Sequence, residues 1–153
     1  MQTEEISTVE QLEHLLDEAD GRMTTLANAS AFLNELLRDI NWVGFYLLEQ
    51  GALRLGPFQG KVACTRIAIG NGVCGTAIQR NQTQLVEDVH AFPDHIACDS
   101  ATTASWSSYS KMTRATPLGV LDIDSPLIGR FTEDDARQME QAAEIISRKI
   151  RQT

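Results

Sequence analysis

Residues 41–60 read NWVGFYLLEQGALRLGPFQG. Two apolar runs flank Glu49-Gln50-Gly51, and that pattern predicts a β-hairpin, hence antiparallel pairing. Downstream, ACTRIAIG (63–70) predicts a further strand, with Cys64, Arg66 and Ala68 on one face and Thr65, Ile67 and Ile69 on the other. A Gly-rich loop then introduces a short helical turn, Val73 to Arg80. QLVEDV (84–89) and PLGVLDIDS (117–125) predict two more strands, and a long polar loop, HAFPDHIACDS (90–100), follows the first of them. Helices are expected at both chain ends. Upstream, TVEQLEHLLDEA (8–19) and TLANASAFLNELLRD (25–39) place leucines at helical spacing. Downstream, Thr132 caps a last helix whose inward stripe is Met139, Ala142, Ala143, Ile146 and Ile150. Hairpin-linked strands between terminal helices make the fold class α+β, one antiparallel sheet with helices packed on it.

The composition bounds the function. The 153 residues match one ordinary domain, read as spanning 1–153. Apolar residues are 42% and charged residues 22%, neither a disordered nor a membrane composition. The acidic N-terminus has no apolar signal core, so a cytoplasmic setting is expected. A net charge of −8 argues against a nucleic-acid partner, which needs clustered Lys and Arg. Three cysteines, Cys64, Cys74 and Cys98, form no C-x-x-C pair, so no metal and no cofactor is expected. Inert buried thiols or redox chemistry are the readings left open for them.

Several residues stand out chemically. On the strand GVLDIDS, Val120, Asp122 and Asp124 share one face and Leu121 and Ile123 the other. Two carboxylates on one strand face either belong to a wet surface or hold an ammonium group or a shared proton. In NWVGFY, Trp42, Gly44 and Tyr46 share a face, and the glycine leaves a notch between two aromatics. Cys98 ends a long polar loop beside Asp99, and a neighbouring carboxylate disfavours a resting thiolate.

NWVGFYLL, LGPFQGKVACTRI, GNGVCGTA, VEDVHAFPDHIACDS and GVLDIDSP together resemble the free methionine-(R)-sulfoxide reductases, single GAF-type domains. The resemblance spans most of residues 24–150 and implies a sheet of about six strands. It implies that Cys98 is the catalytic cysteine, that Cys64 recycles it through an intramolecular disulfide, and that Cys74 assists or substitutes. It implies that Asp122 and Asp124 bind the polar groups of the substrate and that Trp42 and Tyr46 wall its S-methyl group. It also implies free methionine-(R)-sulfoxide as substrate and thioredoxin as reductant. GAF-type domains often pair through terminal helices, and the apolar stripes here would allow a homodimer.

One segment departs from the family pattern. TASWSSYSKMTR (103–114) replaces an apolar strand and a polar turn, and the family's Glu falls on Ser105. No acid lies between Asp99 and Asp122, and the expected strand, Trp106 to Ser110, holds three serines. Impaired activity is the expectation, because the sulfoxide oxygen must leave as water and needs a proton donor. Codons for this segment can be chosen so that a one-base shift reads N-S-I-V-V-L-I-F-K-D-D. A local compensated frameshift and evolved divergence are therefore the two competing origins, and resequencing separates them. Divergence leads to the alternative function, a catalytically degraded GAF-type module that binds a small molecule.

Overall fold

The computed structural model describes residues 8–89, 104–111 and 117–150. The element order is α1 (Thr8–Leu15), a 3₁₀ turn (Glu18–Asp20), α2 (Arg22–Leu36), β1 (Trp42–Glu49), β2 (Ala52–Gly60), β3 (Arg66–Ala68), α3 (Gly72–Arg80), β4 (Gln84–Val86), β5 (Ala104–Lys111), β6 (Pro117–Ser125) and α4 (Glu133–Ile150). The strands form one antiparallel sheet in the order β3-β2-β1-β6-β5-β4. The α+β expectation and the antiparallel sheet hold.

Local chemistry sets the element ends. The first helix stops at Leu15, short of the expected Ala19, because Asp17 turns to extended backbone and its carboxylate accepts from Ala19 N–H at 2.9 Å. Gly21, at φ +87°, then redirects the chain into α2. At the head of α4 the expected cap forms. Asp135 N–H donates to Thr132 Oγ1 at 3.1 Å, and Thr132 N–H donates to Asp135 Oδ2 at 2.9 Å.

The two faces of the sheet are used differently. Leu121 and Ile123 of β6, with Val43 and Phe45 of β1, pack under α1, α2 and α4 in the main core. The stripes that sequence reading offered for pairing two copies lie there, with Leu12, Leu26, Leu33, Met139 and Ile146 buried against the chain's own sheet. The opposite face carries Trp42, Tyr46 and Val120 under α3, with Leu53, Ile67, Cys74, Ala77 and Ile78.

One expectation needs correction. The strand read over 63–70 contracts to Arg66–Ala68, so its alternation does not reach Cys64. Cys64 lies in the irregular stretch before β3 and packs on the same cluster as Ile67, rather than on the opposite face. The strand expected across the serine-rich segment forms as β5, in an interior position between β6 and β4. Backbone pairing runs along Ala104–Lys111 on the β6 side and along Ser105–Ser107 on the β4 side, and it does not depend on the side chains the strand carries.

Candidate active site

Antiparallel register assembles the site. Trp42 pairs with Asp124, Gly44 with Asp122 and Tyr46 with Val120 across β1 and β6. Directly opposed residues share a sheet face, with Cβ atoms about 4.5–5.5 Å apart. The two aromatics and two carboxylates singled out in the sequence therefore form one patch. Asp122 is buried, at 7% exposure, and Asp124 is half-buried. Across β6, Ser105 pairs with Asp124 and Ser107 with Asp122, so the position of the missing Glu is in register with this patch.

The notch expected at Gly44 is filled. One residue of β1, Phe45, opposes two of β2, Gly56 and Pro57, which makes a bulge between the Gly44–Phe58 and Tyr46–Leu55 pairs. A Cβ on Gly44 would meet Phe58 Cβ and sit 2.8 Å from Phe58 Cα. Glycine is needed here for the close approach of β2, not to admit a ligand. The Phe58 ring stacks on Trp42 at 5.1 Å and 16°, and Trp42 stacks on Tyr46 at 6.0 Å and 23°. Phe58 thus extends the aromatic wall, which sequence reading missed. The available signal was Pro57, because proline inside a strand run marks an edge or a bulge.

The polar ends of these rings face the cysteine segment. Trp42 Nε1–H donates to Lys61 O at 3.0 Å, and the Tyr46 hydroxyl donates to Cys64 O at 2.9 Å. Burial pushes the Tyr46 phenol far above its ordinary range, and the charges of Asp122, Cys74 and Asp124 push it the same way. Tyr46 is a neutral donor at every working pH. Cys64 is disulfide-bonded, while Cys74, at 6% exposure, is a buried thiol in the cluster with Trp42 and Tyr46. Cys98 and Asp99, with the loop 90–100, lie outside the described residues.

This patch combines a half-apolar aromatic wall, paired carboxylates and a disulfide-bonded sulfur. It suits a small zwitterion with an apolar tail more than a polymer or an extended apolar ligand.

Comparison with known proteins agrees. A family model described as GAF domain matches residues 8–150. The chain is 56% identical over 119 residues to the free methionine-R-sulfoxide reductase of Escherichia coli K12, covering 78% of this chain and 72% of that protein. The structure of the Neisseria meningitidis free methionine-R-sulfoxide reductase in complex with its substrate superposes with a TM-score of 0.86 at 39% identity, covering 94% of this chain and 86% of that one. The reduced form of the Staphylococcus aureus enzyme gives 0.84 at 42% identity, covering 95% and 96%. The chain is a GAF domain and belongs to the free methionine-R-sulfoxide reductase family.

Proposed function

We propose that this chain, as one GAF-type domain over 1–153, reduces free L-methionine-(R)-sulfoxide to methionine. The observation that carries this reading is the register that sets Trp42 and Tyr46 beside Asp122 and Asp124, with disulfide-bonded Cys64 on the same cluster. The carboxylates attract the substrate ammonium group, and the rings take its S-methyl end. The Cys98 thiolate attacks the sulfoxide sulfur. The sulfoxide S–O bond breaks, oxygen passes with one proton from solvent to the cysteine, which becomes a sulfenic acid, and methionine leaves. The Cys64 thiolate then attacks the sulfenic sulfur. An S–S bond forms, the S–O bond breaks, and hydroxide departs with a proton as water. Thioredoxin, acting in a reducing cytoplasm, returns both thiols by exchange. Cys74, buried in the same cluster, is the reserve thiol for the recycling step.

Ser105, where the family pattern has Glu, supports the competing reading of a module that binds without turnover. A thioredoxin-coupled assay with both sulfoxide epimers separates the two. Reduction of the R epimer alone is expected. Cys98→Ser should abolish it; Cys64→Ser should release one methionine per chain in a burst and then turn over slowly through Cys74, and a chain with both Cys64→Ser and Cys74→Ser should stall after the burst. Ligand binding with no methionine released at all would establish the module instead.

A further inference from the structure

The stretch Lys61–Thr65, between β2 and β3, carries Cys64, is irregular, and is exposed at Lys61 and Val62, the latter at 88%. Only Ala63 and Cys64 pack, partly buried, on the cluster under α3, so beside the Cys64 disulfide its hydrogen bonds set where the backbone sits. Thr65 O accepts from Leu55 N–H at 3.0 Å, which anchors the end nearest β3. The rest is bound to the aromatic wall. Lys61 O accepts from the Trp42 indole, and Cys64 O accepts from the Tyr46 hydroxyl. The turn into the stretch is fitted to the same wall. Gly60 has φ +142°, and a Cβ there would lie 2.5 Å from Trp42 Cδ1 and 2.9 Å from Asn41 O.

Both donors sit on rings that are 3% exposed. A buried donor without its acceptor carries a desolvation penalty, so both hydrogen bonds resist opening. The Tyr46 phenol keeps its proton, which makes its bond independent of working pH. Asp122, Cys74 and Asp124 are the groups whose charge bears on it.

We infer that Tyr46, through its hydroxyl, and Trp42, through its indole N–H, are positioning residues for Cys64. They fix the backbone that presents its sulfur to the sulfenic acid. The inference deepens the proposed reaction and rests on it. The rings that wall the substrate also set the recycling sulfur, so the catalytic and resolving halves share one rigid support. The step they promote is closure of the disulfide, with water as the leaving product. They do not touch the reacting atoms in that step.

The test isolates closure from sulfoxide reduction. The fully reduced protein is oxidised with one equivalent of hydrogen peroxide, with no methionine sulfoxide present. The sulfenic acid is trapped over time with a cyclic 1,3-dione and counted by peptide mass spectrometry. Tyr46→Phe keeps the ring and removes the donor. It should lengthen the sulfenic-acid lifetime about tenfold, the effect of one lost aligning hydrogen bond on an intramolecular attack. A folded Tyr46→Phe protein whose sulfenic acid disappears as fast as in the parent overturns the inference. A structural role alone would lower the melting temperature and leave that lifetime unchanged. If Tyr46→Phe does not fold, Trp42→Phe, which removes the N–H together with part of the ring, is read by the same two outcomes. A parent chain that closes its disulfide with peroxide but never releases methionine refutes the reductase reading and leaves the positioning role standing.

Discussion

Gly44 has the most constrained position in the site. Its missing side chain is what lets Phe58 lie against Trp42, and neighbouring backbone fills the space a Cβ would need. Gly44→Ala forces β2 away at the bulge. Overpacking of this kind costs about 1–3 kcal/mol, and the upper end applies because Phe58 backbone blocks the Cβ. Urea denaturation should show that loss, and the KM for the sulfoxide should rise as the stacked wall loosens. An unchanged midpoint would mean the bulge is plastic. The same face explains how the two carboxylates relate to the aromatics. Asp124 and Asp122 are the direct partners of Trp42 and Gly44, so charge and ring stand side by side on adjacent strands.

At the scale of elements, β5 is the part most at odds with its family and still correctly placed. It pairs with β6 along Ala104–Lys111 and with β4 at its outer side, and Ser105 is the cross-strand partner of Asp124. A Ser105→Glu substitution therefore sets a carboxyl in register with Asp124. Two carboxylates that close repel when both are ionised, which favours a proton on one of them and supplies an acid. A positioned acid is worth typically 10²–10⁴-fold, so kcat with thioredoxin should rise within that range. Equal turnover of the parent and Ser105→Glu chains would show that another group already delivers the proton. The terminal helices give a second element-scale expectation. Arg148 of α4 grips Glu13 of α1 with two hydrogen bonds, at 2.9 and 3.2 Å, and Lys149 stands 3.6 Å away. Hydrogen bonding from Arg148 is the main reason the Glu13 carboxyl lies below its ordinary range. Because the folded value is depressed, the pair stabilises the protein above the ordinary carboxylate range. That contribution fades as pH falls through the folded value. Both side chains are over one-third exposed, so screening keeps the effect to a few tenths of a kcal/mol. Glu13→Gln should lower the melting temperature by about 1–2 °C at pH 7 and not at all near pH 2. A loss that persists in acid would point to packing instead of charge.

For the whole molecule, the sheet separates stability from chemistry. One face is covered by α1, α2 and α4 and forms the main core, and the other carries the aromatic wall, the carboxylates and Cys64 under α3. A ligand on the second face should stabilise the entire fold, by RT ln(1 + [L]/Kd), about 2.7 kcal/mol at a hundredfold excess over Kd. Thermal unfolding of a Cys98→Ser chain, which cannot turn over, checks this. Free methionine-(R)-sulfoxide should raise the melting temperature, and the N-acetylated form, lacking the ammonium group, should not. Equal shifts with both compounds would remove Asp122 and Asp124 from ammonium recognition.

Much of this protein was legible in its residues. Apolar periodicity and turn chemistry are local, so the hairpin, the terminal helices, the Thr132 cap and the α+β class followed from short stretches. Strand alternation alone put Asp122 with Asp124 and Trp42 with Tyr46. Which strand lies beside which is a long-range choice, and only the folded sheet joined those two pairs through the β1–β6 register. Only the folded sheet showed that the Gly44 gap belongs to Phe58, because the bulge that fills it depends on two strands at once. Cys64 was misplaced because alternation was extended past the point where pairing to β2 stops, and an unpaired chain has no period of two. The strand expected at the serine-rich β5 forms against its side-chain propensity. Propensity measures how a side chain fits a pleated surface, whereas a neighbour on each side can hold a strand by its backbone alone.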